Sequence, residues 1–358
     1  MHELKKFFTK IGFLKKLISV YWSFYKRHRN IINNDKFTLV KLTKEEKKDY
    51  LNYWKKIGPI VSLKTVEISK SLSGNYNKFI IPEEFFPLYF EPVLNKRNEI
   101  SFLQNKSFYK KWFGDGVFPE CFLFRIDGFF YDKELRKIND INSYLEELSL
   151  IKFPLVVKPT LDTWGGEGVV FVKDKIQLLN EILKTNDLIV QEKIIQSNLI
   201  NKFYKDSISS VRVCLLKING TQKVINISIR MGKNGSLDNI TAGGMSCSIS
   251  ENGAFNWYAV DKIGTKYTEH PNTKVIFKGQ EIPFYENLKV EALNIAEKLP
   301  YAHLISLDMY LNNFDQWKCL EINLFGQTIR FAQYAGTPFF GSLTQEVVSK
   351  LLVEKEKK

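Results

Sequence analysis

At 358 residues, with 44% hydrophobic and 14% aromatic side chains, the chain can bury a large core in roughly two or three lobes and is neither fibrous nor disordered in composition. No uninterrupted apolar run of about 18 residues is present, which excludes an ordinary membrane-spanning helix. The net charge of +13 excludes an acidic solvating protein, and four dispersed cysteines with no C-x-x-C pair argue against a disulfide framework or a zinc site.

Residues 1–30 carry eight basic residues against the single acid Glu3, so seven of the thirteen net charges sit there. Leu4, Phe7, Phe8, Ile11, Leu14, Leu17, Ile18, Tyr21, Trp22 and Tyr25 recur at helical spacing, which predicts a basic amphipathic helix. Such a helix either lies on an anionic membrane surface or packs its apolar stripe on the body and solvates its lysines. The N-terminus shows no apolar core followed by a small-residue cleavage site, so a cytoplasmic protein is expected, with membrane contact confined to the inner face. No nucleic-acid-binding motif accompanies the charge, and nucleic acid is not expected as a partner.

Residues 1–58 read as a basic helical extension ending near Gly58-Pro59, and residues 59–150 as a mixed segment rich in Phe and Pro. Beyond residue 151 the pattern alternates clearly. Residues 153–158 (FPLVVK) predict a strand, 160–168 a loop and 169–172 a second strand. Asp174 is placed to cap a helix whose stripe is Ile176, Leu179, Ile182 and Leu183. Residues 188–191 form a buried strand, and 210–218 and 223–231 two longer ones joined by an Asn219-Gly220 hairpin turn. An amphipathic helix over 287–299 stops at Pro300.

A final hairpin follows over 304–323. Ile305, Leu307 and Met309 form its first apolar face, leaving Asp308 on the other; Leu320 and Ile322 do the same in the second strand, opposite Glu321 and Asn323. Matching the apolar faces across the 312–316 turn sets Asp308 beside Glu321. Two facing carboxylates repel unless a cation sits between them. With the Asn323 carbonyl they form a hard all-oxygen set suited to Mg²⁺; a wet sheet face with scattered acids is the plain alternative.

Upstream parts fit a phosphate ligand. Lys158 ends an apolar strand and can meet phosphate as a point charge. Trp164-Gly165-Gly166-Glu167-Gly168 is a glycine-rich turn whose N–H groups can approach phosphate oxygens, although any tight turn needs glycine. It is neither a Walker loop nor a dinucleotide fingerprint. Gln191-Glu192-Lys193-Ile194 either ends a strand or runs on as an extended hinge offering adenine a donor and an acceptor. Arg212 and Arg230, within apolar strands, need anionic partners: a core acid, or phosphate in a cleft. Asn239, after Asp238, can orient an acid or a substrate.

In this order the parts resemble the ATP-grasp superfamily: a lysine strand, a glycine-rich loop, Q-E-x-I, a strand arginine, R-x8-N-x3-G-G, then Asp and E-x-N on a hairpin. His270-Pro271-Asn272-Thr273, Gly279 and Ile282-Pro283 are similar to its sugar-transfer-associated branch, and Asn105-Lys106 resembles the start of the module. The resemblance covers roughly residues 100–350 and none of residues 1–58.

It implies an α+β ATP-grasp fold behind an N-terminal helical extension: a small lobe over 151–195 and a large lobe over 196–353 enclose a nucleotide cleft. Lys106 and Lys158 would hold phosphates, Gly165, Gly166 and Gly168 would cover them, and Gln191, Glu192, Lys193 and Ile194 would line the adenine pocket. Asp308, Glu321 and Asn323 would hold Mg²⁺, while Arg212, Arg230 and Asn239 would act on the reacting groups. Leu324-Phe325-Gly326 follows E-x-N in place of a common Pro-Gly, so the acceptor pocket should differ. Arg330 is either an acid-substrate ligand there or a helix-surface residue. The implied reaction joins a carboxylate and an amine, one of them on a sugar or surface-polysaccharide precursor, through an acyl-phosphate. A kinase acting on a hydroxyl and a non-catalytic, membrane-associated nucleotide-binding scaffold are the rivals.

Overall fold

The computed structural model describes residues 2–148, 153–161 and 168–356, with the backbone alone for residues 2–11. Gly165 and Gly166 lie outside the described residues.

Two antiparallel sheets organise the protein. The first has five strands in the order β2-β1-β5-β3-β4: β1 Cys121–Ile126, β2 Phe129–Asp132, β3 Leu155–Pro159, β4 Val170–Val172 and β5 Leu188–Glu192. It draws β1 and β2 from the 59–150 segment, so this sheet begins well before residue 151. The second has seven strands in the order β10-β9-β8-β7-β6-β11-β12. These are β6 Val211–Ile218, β7 Thr221–Met231, β8 Met245–Ile249, β9 Phe255–Asp261, β10 Lys266–Tyr267, β11 Leu304–Leu311 and β12 Trp317–Asn323.

Period-two alternation explains which side chains reach the space between the sheets. In β3 and β5, Leu155, Val157, Leu188 and Val190 pack on the helices Ile141–Leu148 and Lys175–Ile182, which turns Val156, Lys158 and Gln191 the other way. The helix Lys175–Ile182 begins at Asp174, whose Oδ1 accepts from Gln177 N at 2.8 Å, as the sequence predicts. Its buried pair is Leu178 and Ile182, however, while Ile176 and Leu183 are exposed. The expected stripe holds at Ile182 and, partly buried, at Leu179, while Leu178 takes the core position expected of its ends, because the 178/182 and 179/183 apolar i, i+4 pairs compete for one sheet face. In the large sheet Val211, Val213, Ile227, Ile229, Met231, Leu307 and Met309 share a core with the helix Tyr285–Glu297. Arg212, Ser228, Arg230, Ser246 and Asp308 consequently share the opposite face.

The first 58 residues are built into the body. Helix α1 (His2–Ile32) seats Ile31 in a cluster with Phe37, Ile240 and Phe331. Helix α2 (Lys44–Trp54), started by a Thr43/Glu46 capping box, puts Tyr50 and Trp54 against Cys214, Leu216 and Leu304. Arg27 and His28 of α1 meet Glu83 at 2.7 and 3.3 Å. Arg330 ends on the same carboxylate at 3.0 Å and is buried, so it is neither a substrate ligand nor a helix-surface residue.

Beside this cluster Glu84 is 1% exposed; its Oε1 accepts from Ser62 N at 3.1 Å and its Oε2 has no partner among the described residues. Burial pushes this carboxyl up to about 7. Between pH 4.5 and 7 the folded chain then holds a proton that the unfolded chain has lost, so stability falls as pH rises through that window, by about 3 kcal/mol. Thermal midpoints at pH 5 and 8 should show Glu84→Gln flattening this dependence; an unchanged slope refutes it.

Candidate active site

A cleft of about 710 Å³ lies between the sheets, within the range of about 300–1,000 Å³ that holds cofactor-sized ligands. Lys106, Lys158, Gln191 to Ile194, Arg212, Arg230, Asn239, Asp308, Glu321 and Asn323 all line it. Of the described residues picked from the sequence as site candidates, all but Gly168 and Arg330 are thus brought to one cavity.

The cross-strand register pairs Asp308 with Glu321 on β12 and with Arg212 on β6. A bulge interrupts the ladder between Asp308 and Met309, whose partners are Glu321 and Cys319. Leu320 is the extra residue, and instead of joining Ile322 in the core it lines the cleft. That corrects the expected apolar pair in the second strand: the core partner of Ile322 is Cys319.

Asp308 is saturated. Arg212 donates Nε to Oδ1 and Nη2 to Oδ2, both at 2.7 Å; Asn323 Nδ2 donates to Oδ2 at 3.1 Å, and Arg230 Nη1 stands 3.5 Å from Oδ1. These contacts fill about four acceptor positions, all a carboxylate offers. Burial alone would raise the Asp308 carboxyl, but Arg212 and Arg230 more than offset it and hold it down to about 2. Burial and the charge of Arg212 both lower the Arg230 guanidinium pKa.

Lys106 is buried, with its Nζ 2.8 Å from Glu321 Oε1 and its backbone N–H on Thr160 O at 3.1 Å. Lys158 is 6% exposed and, among the described residues, its amine has neither an ion pair nor a hydrogen bond. Burial first, then the neighbouring Lys106, push it down to about 8. On this wall four cations therefore face the carboxylates Asp308, Glu321 and Asp238, and burial favours the protonated form of Asp238. The surplus is positive.

Strand pairing of β5 ends at Glu192, and the chain runs unpaired along the cleft until Gln196 bridges to Asn312. Glu192 Oε1 accepts from Glu120 N at 3.0 Å, so this side chain anchors the hinge. Val156, Phe171, Ile194 and Leu320 give the same end of the cleft apolar walls suited to a flat base. Gly168, with φ +75°, packs on Pro159, where a Cβ would come within 3.0 Å of Cγ.

Asn239 Oδ1 accepts from Thr241 N and Oγ1 at 2.9 and 2.6 Å, capping a short turn over Ile240–Ala242. At Gly244 a Cβ would approach Asp238 O and Met231 O to 2.7 and 2.8 Å, so the Gly243-Gly244 pair lets this loop close over β7. His270 lies behind the loop: it is buried, stacks on Tyr204 and meets Gly232 O through Nε2 at 2.8 Å. The His270–Thr273 segment is thus a prop.

Sequence reasoning missed two supports. Ser210 holds Asp238 Oδ2 through its hydroxyl and, at 3.3 Å, its N–H; standing two residues before Arg212, its parity was the available signal. Glu91 Oε1 accepts from Gly326 N at 2.7 Å and Gln327 N at 3.3 Å, fixing the loop after Asn323, and no local pattern marks it.

The donors fit a hard divalent cation in type. Among the described residues no cluster of three His, Cys, Asp or Glu is present, so the set is two carboxylates plus the amide oxygen of Asn323, whose amide nitrogen is turned to Asp308. Asp308 can join only by releasing one of the bonds it accepts, from Arg212 or Asn323.

No curated protein matches the chain by sequence. Among solved structures it is similar to the biotin carboxylase domain of Hydrogenobacter thermophilus 2-oxoglutarate carboxylase, in complex with MgADP and bicarbonate, at 11% identity over 68% of this chain and 46% of that one, TM-score 0.41. It is also similar to the VanG D-Ala:D-Ser ligase of Enterococcus faecalis at 14% identity, 69% and 61% coverage, TM-score 0.44. A third is the D-alanine–D-alanine ligase of Bacillus anthracis at 15% identity, 72% and 70% coverage, TM-score 0.40. The chain spans less than two thirds of the first two of these proteins. The sequence profile of the family described as sugar-transfer associated ATP-grasp matches residues 87–348, well over half of the protein. With that match over the residues that build both sheets and the cleft, the chain belongs to the sugar-transfer associated ATP-grasp family.

Proposed function

We propose that the protein is an ATP-dependent ligase that joins a carboxylate to an amine. The observation that carries the reading is Lys158: a buried amine with no ion pair or hydrogen bond among the described residues, repelled by Lys106 and facing a cleft with surplus positive charge. Such a group needs an anion of high charge, and a triphosphate supplies one. Lys106 and Lys158 hold its phosphates, and the apolar end beside Gln191–Ile194 takes the adenine.

Glu321 and Asn323, with Asp308 on release of a bond from Arg212 or Asn323, would hold Mg²⁺, which supplies charge neutralisation on the phosphates. A substrate carboxylate oxygen attacks the γ-phosphorus, the bond to the β-phosphate oxygen breaks, and ADP leaves. Arg212 and Arg230 stand where negative charge accumulates between carboxylate and phosphoryl group, and their fixed placement lowers that barrier. The amine then attacks the acyl carbon, the carbon–oxygen bond to phosphate breaks, and phosphate departs with the amine proton. Asn239 and the Glu91-fixed loop over 324–328 border the acceptor end. The family's association with sugar transfer supports a sugar or surface-polysaccharide precursor as one substrate.

The test supplies panels of uronic and amino acids paired with amines and follows ADP and phosphate. Both products should appear only when acid and amine are present together; phosphate retained on a hydroxyl substrate would instead establish the kinase. Mg-ATP at a hundredfold excess over Kd should stabilise the wild type by about 2.7 kcal/mol, and Glu321→Ala should lose most of that gain. Equal thermal midpoints with and without Mg-ATP in the wild type would overturn the nucleotide site.

A further inference from the structure

Helix α1 carries two apolar stripes, and the body uses only one. On the packed side Ile31 is fully buried, the Tyr21 hydroxyl donates to Ile60 O, and Arg27 and His28 end on Glu83. Leu14, Ile18, Trp22 and Tyr25 recur at i, i+4, i+8 and i+11 on another face and are 56%, 60%, 57% and 55% exposed. A scattered exposed leucine needs no explanation, but four large apolar residues in register on one helix do. The Trp22 and Tyr25 rings stack at 5.6 Å, and the Lys26 amine lies 5.2 Å from the Trp22 ring centre. Lys15, Lys26 and Arg29 are exposed and, among the described residues, none is in an ion pair.

The charge selects the occupant. A second copy would bring two segments of the same strong positive charge together and is repelled. An acidic, soluble partner satisfies the lysines but offers no apolar phase for Leu14, Ile18 and Trp22. An anionic bilayer surface does both: it takes aliphatic and aromatic side chains below the headgroups and cations at the phosphates. We propose that α1 lays its Leu14–Ile18–Trp22–Tyr25 face into the headgroup layer of an anionic membrane, with Lys15, Lys26 and Arg29 on the lipid phosphates. Ile240 and Phe331 line the cleft and share a core cluster with Ile31, so the docked helix is tied to the acceptor end of the cleft. That arrangement suits a substrate carried at a membrane surface; the docking itself does not depend on what the cleft binds.

The experiment is co-sedimentation of the full chain with vesicles of phosphatidylcholine alone and of phosphatidylcholine mixed equally with phosphatidylglycerol. Binding is expected to the mixed vesicles only, weakening with salt. Each lysine neutralised in Lys15→Gln and Lys26→Gln should cost about fivefold in partitioning. Ile18→Glu with Trp22→Glu should cost at least about tenfold, at an unchanged thermal midpoint because both positions are exposed. A chain that stays in solution with the mixed vesicles, or a double variant that sediments like the wild type, overturns the proposal. So does sedimentation velocity showing a dimer that the same double variant dissolves, since the face would then belong to a second copy.

Discussion

Replacing Lys158 with methionine is expected to make the protein more stable and less able to bind nucleotide. The amine is nearly inaccessible, and Glu321, whose charge acts favourably on it, is already engaged by Lys106 at 2.8 Å. Methionine keeps most of the apolar stem and removes the unpaired charge, which should gain roughly 1–3 kcal/mol at pH 7. Losing charge-assisted contacts to phosphate should cost about 1.5–3 kcal/mol of affinity, tens of fold in Kd. The pH dependence provides an independent check. Folding lowers this lysine from its ordinary 10.5 to about 8, so between those values the unfolded chain binds more protons than the folded one. Wild-type stability should therefore rise with pH from about 8 towards 10.5, the burial penalty being fully present below that window. Nucleotide affinity should fall above pH 8, by at most about tenfold per unit, because phosphate selects the protonated amine. Both slopes should vanish in Lys158→Met. A variant that is destabilised as by an ordinary core loss, with the slopes intact, would show that the amine is not the unpaired cation of the cleft.

How far the sequence could be read depended on the range of the interaction. The Asp308–Glu321 pairing is local: matching the apolar faces of one hairpin points to it and the observed register agrees, but through the bulge, since counting back from Leu311 and Trp317 without it would set Asp308 opposite Leu320. The bulge that sends Leu320 to the cleft is a one-residue irregularity that alternation cannot express. In Lys175–Ile182 the cap was legible and the buried face only in part, at Leu179 and Ile182, because apolar residues occupy more than one face. Arg330 was unreadable for a different reason: its partner Glu83 is 247 positions away, and the other two side chains on that carboxylate, Arg27 and His28, come from α1. Helix α1 packs one stripe on the body, as one of its two sequence readings had it, and leaves a second apolar stripe exposed. Residues 87–348 were recognisable as a family because order along the chain survives where each motif alone is loose.

Removing Arg212 should have the opposite effect to removing Lys158, though both are cations of one cleft. Arg212 makes two of the four contacts on a buried carboxylate, so Arg212→Ala leaves Asp308 with Arg230 at 3.5 Å and Asn323. Breaking one side of a buried pair costs about 3–5 kcal/mol, readable as a lowered urea midpoint. Asp308 is held near 2 against an ordinary 3.8, so its contribution is present above pH 3.8 and lost as pH falls towards 2. That acid-side loss, about 2 kcal/mol in the wild type, should be much smaller in Arg212→Ala. Asp308→Asn combined with Arg212→Met should cost less than the two single changes added, because neither charge is then left alone. The same cycle bears on the metal. If Asp308 meets a divalent cation by giving up one bond to Arg212, the coupling energy measured with Mg-ATP bound should be smaller than without it. A coupling that is unchanged by Mg-ATP would rule out that exchange, and would leave release from Asn323 as the only way for the carboxylate to reach the cation.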